Sequence, residues 1–287
     1  MVVVVSPMVV KHSSHRRWSL VLGFSLIGYL GIVAFGRLPD RFILWPQVQK
    51  EPNHGAQQKL VPMGRGMLEI WRARSSVVTD NPDIFVLRFY GNADRAERWI
   101  TEEAKAFPVA CELWGVNYPG FGGSTGPASL KGVAESAITA YDALRTRAGS
   151  KPILVFGTSL GTTAALHVAA HRPVAGLFIQ NPPPLRQLIV GMHGWWNLWL
   201  LAVPVSWQIP DELDSIANAR RIHAPAVFLL SGNDEVVGYR FQQMIFQAYA
   251  GDKTLIDRPA AGHNDAIDSE TAARINAAVR QMLASAK

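Results

Sequence analysis

One cysteine, Cys111, is the only thiol in this chain of 287 residues. An intrachain disulfide or a thiolate zinc cluster therefore cannot form. Cys111 lies within the apolar run "VACELWGV", where an inert core thiol is expected. Charge is also sparse: Asp, Glu, Lys and Arg make up 17% of the residues, for a formal net charge of +6. No run of Lys or Arg exceeds two residues, which argues against nucleic-acid binding and for a solvated basic surface. Internal repeats and low-complexity tracts are lacking. "NYPGFGGSTG", residues 117 to 126, is glycine-rich but has no G-K-[ST] ending, so it is not a P-loop; it is expected to shape the functional edge of a sheet.

Apolar residues are plentiful at 48%, as in a globular or partly membrane-bound chain. Residues 18 to 36, "WSLVLGFSLIGYLGIVAFG", carry no charge and fit a single transmembrane helix. Lys11, Arg16 and Arg17 precede them, which favours an inside N-terminus and a domain outside the cytoplasm. A cleaved secretory leader is the alternative, because Ala34-Phe35-Gly36 resembles a small-x-small processing site. The expected organisation is a tail and anchor over 1–36, a proline-containing linker over 37–58, and one folded domain over 59–287.

In that domain, "KLVPMGRGMLEIWRAR" reads as two antiparallel strands. Strands over 84–89, 109–116, 153–156, 176–179, 226–230 and 254–256 then alternate with helices over 93–106, 130–148, 160–171 and 239–249. This alternation predicts an α/β fold, a mostly parallel sheet with helices on both faces. Function in such sheets gathers at the carboxyl ends of the strands. Residues 185–216 interrupt the alternation and hold Trp195, Trp196, Trp199 and Trp207. They read as a small helical cap that lines an acyl pocket, touches a bilayer, or packs on the sheet.

The chemistry centres on "LVFGTSLGTT", residues 154 to 163. Gly157 and Gly161 bracket Ser159 at G-x-S-x-G spacing between a strand and a helix, where a strained turn would lift the hydroxyl above the sheet. A serine needs a base, and the base needs an orienting acid. Asp234 follows the strand "AVFLLSG" and His263 follows "TLIDR", so nucleophile, acid and histidine occur in hydrolase order. The expected oxyanion donors are the backbone N–H groups of Leu160 and of Asn92, the latter in the loop "GNAD". His167 and His171 stand four apart but lack an intervening acid and a third ligand, so helix packing is expected rather than a metal pair. Asp265 is expected to steady its own turn, and Asp211 and Asp214 to begin a helix.

From about residue 60 to 285 the chain resembles the α/β-hydrolase superfamily. It is similar there to the membrane-anchored α/β-hydrolase-domain serine hydrolases and their serine-aminopeptidase-like relatives. "FYGNA", "NYPGFGGSTG", "GTSLG", "SGNDEVV" and "AGHND" carry the resemblance, together with "DRFILWPQ" after the anchor. It implies nucleophile, acid and base at Ser159, Asp234 and His263. Where the family usually carries histidine this chain has Tyr90, whose hydroxyl is the expected substitute brace for the oxyanion loop. The expected activity is cleavage of carboxylic esters or thioesters, acyl- or lipid-like ones among them, without metal or organic cofactor. Membrane lipid is the expected partner of the N-terminal helix. The alternatives are an exopeptidase on short peptides, with Asp211, Glu212 or Asp214 receiving the substrate amine, and a catalytically silent membrane-bound hydrolase fold.

Overall fold

A computed structural model of the chain describes residues 13–35, 37–49, 51–77, 81–197 and 199–285. It divides into two units, 1–38 and 39–287. The first unit is built on helix α1, Ser13–Phe35. Its described large apolar side chains, among them Trp18, Leu22, Phe24, Ile27 and Ile32, are all exposed. The transmembrane helix expected over 18–36 is not found: no helix among the described residues is long and apolar enough to cross a membrane. Arg16 and Arg17 fall inside α1. The uncharged remainder, 18–35, rises about 27 Å, short of a hydrocarbon core of roughly 30 Å; Gly36 lies outside the described residues.

The second unit holds eight strands: β1 (Gln57–Met63), β2 (Gly66–Arg74), β3 (Ile84–Phe89), β4 (Cys111–Val116), β5 (Ile153–Thr158), β6 (Gly176–Gln180), β7 (Ala226–Ser231) and β8 (Lys253–Arg258). They form one sheet in the order β1-β2-β4-β3-β5-β6-β7-β8. β2 is antiparallel to β1 and to β4, and every later pairing is parallel. β3, β4 and β7 are buried along their whole length, as strands covered on both faces must be. This is the mostly parallel α/β sheet that the alternation predicts.

The helices are α2 (Leu38–Ile43), α3 (Ala96–Ala106), α4 (Leu130–Ala148), α5 (Leu160–His171), α6 (Leu185–His193), α7 (Ala202–Trp207), α8 (Ser215–Ala219), α9 (Tyr239–Ala248) and α10 (Ser269–Ser285). α4 begins where expected, with the Ser129 hydroxyl accepting from the Gly132 N–H, and ends at Gly149. α3 starts three residues later than expected, because Asn92 and Ala93 form a turn, with Ala93 at φ 59°, and Arg95 is still extended.

Two apolar clusters sandwich the sheet. One gathers α4 and α5 with Phe228 and Tyr249; the other gathers Ile100, Cys111, Phe178, Val279 and Met282. Cys111 is fully buried, and burial pushes its thiol up to about 12, as an inert core thiol requires.

Of the linker expected over 37–58, the described residues 39–49 and 51–58 belong to the second unit. Leu44 enters the core, Asp40 accepts the Leu130 N–H at 2.8 Å, and the Gln47 carbonyl accepts the Gly122 N–H at 2.8 Å.

Candidate active site

β5 lies in mid-sheet, and its carboxyl end turns directly into α5. Ser159, at the junction, has φ 50° and ψ −124°, a conformation that L-residues rarely adopt. Its hydroxyl makes no capping bond to α5 and so points away from the helix.

The flanking glycines permit this turn. A Cβ on Gly157 would lie 2.7 Å from the Gly161 carbonyl oxygen, and one on Gly161 would lie 2.6 Å from the Tyr90 carbonyl oxygen. Strand, helix and the end of β3 thus meet backbone to backbone, with no space for a methyl group.

The structure brings together the three residues that follow β5, β7 and β8. The Asp234 carboxylate receives His263 Nδ1 at 2.7 Å, and His263 Nε2 stands 3.0 Å from Ser159 Oγ. The Asp234 side chain is wholly buried. Its Oδ1 accepts the N–H groups of Val236 at 2.9 Å and Val237 at 2.7 Å, and its Oδ2 accepts Gln242 Nε2 at 3.0 Å. The carboxylate is therefore surrounded by donors, and its charge is met without a cation. Asn181, at φ 49° after β6, donates its side-chain amide to the His263 carbonyl at 3.1 Å. Asp265 accepts the Gly262 N–H at 2.8 Å and steadies the turn, as expected.

The loop after β3 runs beside Ser159. A Cβ on Gly91 would stand 3.6 Å from Ser159 Cβ, and Asn92 and Leu160 line a cavity with Ser159. Tyr90 does not brace this loop with its hydroxyl, which instead donates to Glu103 at 3.0 Å. Burial and the nearby Glu103 charge hold the phenol well above its ordinary range, so it stays a neutral donor. The brace is Tyr118, whose hydroxyl donates to the Tyr90 carbonyl at 2.9 Å. Tyr118 is the second residue of the glycine-rich stretch. The rest of that stretch turns away from the site and packs on β2, with the Gly123 N–H donating to Glu69 at 2.8 Å.

Two cavities meet at Ser159. One, of about 500 Å³, is mixed: Arg88, Asp94, Glu103, Gln180, Asp265 and His263 supply its polar wall, and Trp99, Val236 and Ile267 part of its apolar wall. The other, of about 340 Å³, is mainly apolar and runs between Phe42, Ile43 and Trp45 on one side and Leu185, Leu188, Ile189 and Met192 on the other. A further apolar cavity of about 310 Å³ shares Phe42, Ile43, Ile189 and His193 with it and is closed by Trp196 and Val205.

The aliphatic residues of α6, not the tryptophans, thus face Ser159. Trp195, Trp196, Trp199 and Trp207 are all exposed, and Trp196 alone among them lines one of these cavities. Asp211 and Asp214, expected candidates for an amine, pair with Arg186 at 2.5 and 3.3 Å. Neither they nor Glu212 line the cavities at Ser159.

Sequence reasoning missed Tyr118, Asn181, Gln242 and the 42–45 wall. The proline run after Asn181 and the "DRFILWPQ" segment were signals of backbone pinned in place, but no spacing rule connects them to Ser159.

His167 and His171 stack on α5, with ring centroids 4.6 Å apart. Burial, then the neighbouring His171, lowers His167 to about 4. The folded state therefore favours the neutral ring. The resulting stability is intact above the ordinary 6.5 and is lost as pH falls from there towards 4. About 3 kcal/mol should go across that window, and His167→Gln should remove that part of the slope in urea melts at stepped pH. An unchanged slope would place the titration elsewhere.

A family model described as alpha/beta hydrolase fold matches residues 85–268. An uncharacterized protein of Mycobacterium tuberculosis is 30% identical over 151 residues, which are 52% of this chain and 52% of that protein. The human alpha/beta hydrolase domain-containing protein 17B is 26% identical over 161 residues, 55% of this chain and 52% of that protein. The chain thus spans about half the length of the curated relatives it matches. Among solved structures, the Pyrococcus furiosus esterase Pf2001 is similar with a TM-score of 0.63 at 15% identity, covering 84% of this chain and 97% of that one. At that identity the likeness is one of fold.

Proposed function

Because the chain belongs to the alpha/beta hydrolase fold family, we propose that it is a serine hydrolase cleaving carboxylic esters or thioesters of apolar acyl groups. The observation that carries this reading is the continuous row from Asp234 through His263 to Ser159, at 2.7 and 3.0 Å. In the proposed reaction, Ser159 Oγ attacks the acyl carbonyl while His263 Nε2 takes its proton. Asp234 holds the ring by its Nδ1 and stabilises the imidazolium that forms. The N–H groups of Asn92 and Leu160 receive the oxyanion. Collapse of the tetrahedral intermediate breaks the ester or thioester bond, and His263 hands its proton to the departing oxygen or sulfur. Water, deprotonated by the same ring, then attacks the acyl-serine and frees the acid. The sequence of steps calls on no metal and no organic cofactor.

The two cavities favour different chemistries for the two halves of the substrate. An acyl chain suits the wall of Phe42, Ile43, Leu188 and Ile189, and a polar alcohol or thiol suits the side of Asp94, Glu103 and Gln180. Each methylene buried contributes about 0.8 kcal/mol, or roughly fourfold in kcat/KM. Hydrolysis of p-nitrophenyl esters from acetate to decanoate should therefore steepen with length until the apolar cavity is full. Rates that are flat along the series would refute the acyl preference. A second reading, exopeptidase action, draws on the carboxylates of Asp94, Glu103 and Asp265 in the larger cavity. Faster turnover of aminoacyl p-nitroanilides than of any ester would select it.

Attachment to a lipid surface through α1 belongs to the same proposal. Its residues 18–32 expose Trp18, Leu20, Val21, Leu22, Phe24, Leu26, Ile27, Leu30 and Ile32, a pattern that water disfavours. Flotation of the full chain with phosphatidylcholine vesicles containing phosphatidylserine is the expected result; recovery of all the protein in the lipid-free fraction would refute it.

A further inference from the structure

The segment just ahead of β1 reaches the oxyanion loop through a single side chain. Asn92 Oδ1 accepts the Trp45 N–H at 2.9 Å, and Asn92 Nδ2 donates to the Ile43 carbonyl. One amide thereby occupies a backbone acceptor and a backbone donor two residues apart, much as a neighbouring strand would. Aspartate has no donor for Ile43, and alanine leaves both groups without Asn92.

The segment itself is pinned on either side of this contact. Asp40 holds the Leu130 N–H, the Gln47 carbonyl holds Gly122, and Leu44 is buried between them. Asn92 is followed by Ala93 at φ 59°, a backbone state that non-glycine residues disfavour and that persists only where its surroundings impose it. Behind the loop, the Tyr118 hydroxyl holds the Tyr90 carbonyl at 2.9 Å. The stretch from Tyr90 to Ala93 is thus held at the rear by Tyr118 and at the front by residues 43–45.

Those front residues have a second task. Ile43 and Trp45 also line the apolar cavity that opens on Ser159, beside Leu160 and Ile189. The cavity wall and the support of the oxyanion donor are therefore the same three residues of chain.

We propose that the Asn92 side chain is a positioning residue that couples the two, so that filling the apolar cavity settles the 43–45 segment and with it the Asn92 N–H. This rests on the hydrolase reading above and extends it: acyl length is felt in kcat and not in KM alone. A group attached to rigid neighbours places its N–H more accurately than one on a free turn, and an oxyanion donor is worth about 10²–10³ in turnover only when correctly placed.

Asn92→Ala and Trp45→Pro, which removes the N–H that Asn92 accepts, test this from the two sides of the contact. Each should lower kcat for a short ester by 10- to 100-fold, and in Asn92→Ala, which leaves the Trp45 wall in place, KM should stay within about twofold. Each should also abolish the rise of kcat with acyl length. Hydrogen exchange read by mass spectrometry supplies an activity-independent readout. Amides of residues 88–95 should exchange at least tenfold faster in either variant, while those of α5 keep the parent's rate. Full kcat with unchanged exchange at 88–95 in either folded variant overturns the proposal. A parent chain inert towards both fluorophosphonate and esters overturns the hydrolase reading instead, and exchange then decides the coupling alone.

Discussion

Ser159→Ala is expected to cost about 10⁵- to 10⁶-fold in kcat and to abolish labelling by a fluorophosphonate probe, with the melting temperature nearly unchanged. The loss is large because the hydroxyl is the group His263 Nε2 faces at 3.0 Å, and alanine offers nothing for it to deprotonate. The fold should tolerate the change because the hydroxyl caps nothing in α5. Adding His263→Ala should subtract little more, since residues that act as one unit lose their effect together.

The backbone at this position supplies a sharper version. At φ 50°, serine and alanine are both strained whereas glycine is not, so Ser159→Gly should raise stability by about 0.5–1 kcal/mol while losing the same activity. Undiminished probe labelling in Ser159→Ala would place the nucleophile elsewhere. A destabilised Ser159→Gly would refute the account of strain held at the site.

Asp234→Asn should lower kcat about 10⁴-fold, and unlike the serine change it should also destabilise the chain by about 1–3 kcal/mol. All four groups around the carboxylate are donors in the bound arrangement: Val236 N–H, Val237 N–H, Gln242 Nε2 and His263 Nδ1. An asparagine must turn its own NH₂ against one pair of them. If the NH₂ faces His263, the ring is driven to the tautomer that carries its proton on Nε2, next to Ser159, where it cannot accept another. If it faces Val236 and Val237, two buried N–H groups lose their acceptor. Steady-state kinetics with a urea melt on the same sample checks both effects. Activity within tenfold of the parent would move the acid role to Asp265, which lines the same cavity.

Much of this site was legible in the sequence because its parts obey local rules. Gly157 and Gly161 announce a close approach of backbones, and the apolar runs before Ser159, Asp234 and His263 announce strands. Parallel order then brings their carboxyl ends to one rim. What escaped depends on partners distant in the chain. Tyr118 looked like part of a glycine-rich loop, and only the packing of that loop on Glu69 aims its hydroxyl at Tyr90. Tyr90 was expected to brace the loop, but Arg88 and Glu103 form an ion pair beside it and Glu103 claims its hydroxyl. Residues 37–58 carried the prolines of a linker, although Leu44 and Asp40 give them a seat in the core. α10 was overlooked even though Asp268 caps its start and Ile275, Val279 and Met282 recur at helical spacing.

The span from Leu185 to Trp207 enters between β6 and β7, and no rung of the sheet passes through it. In the proposed hydrolase, the α6 side of the acyl wall and the Ser159–His263–Asp234 row thus stand on separable stretches of chain, while residues 42–45 belong to both wall and oxyanion support. Grafting a foreign span between Pro184 and Pro210 would retune the clientele while leaving the proton relay as it stands.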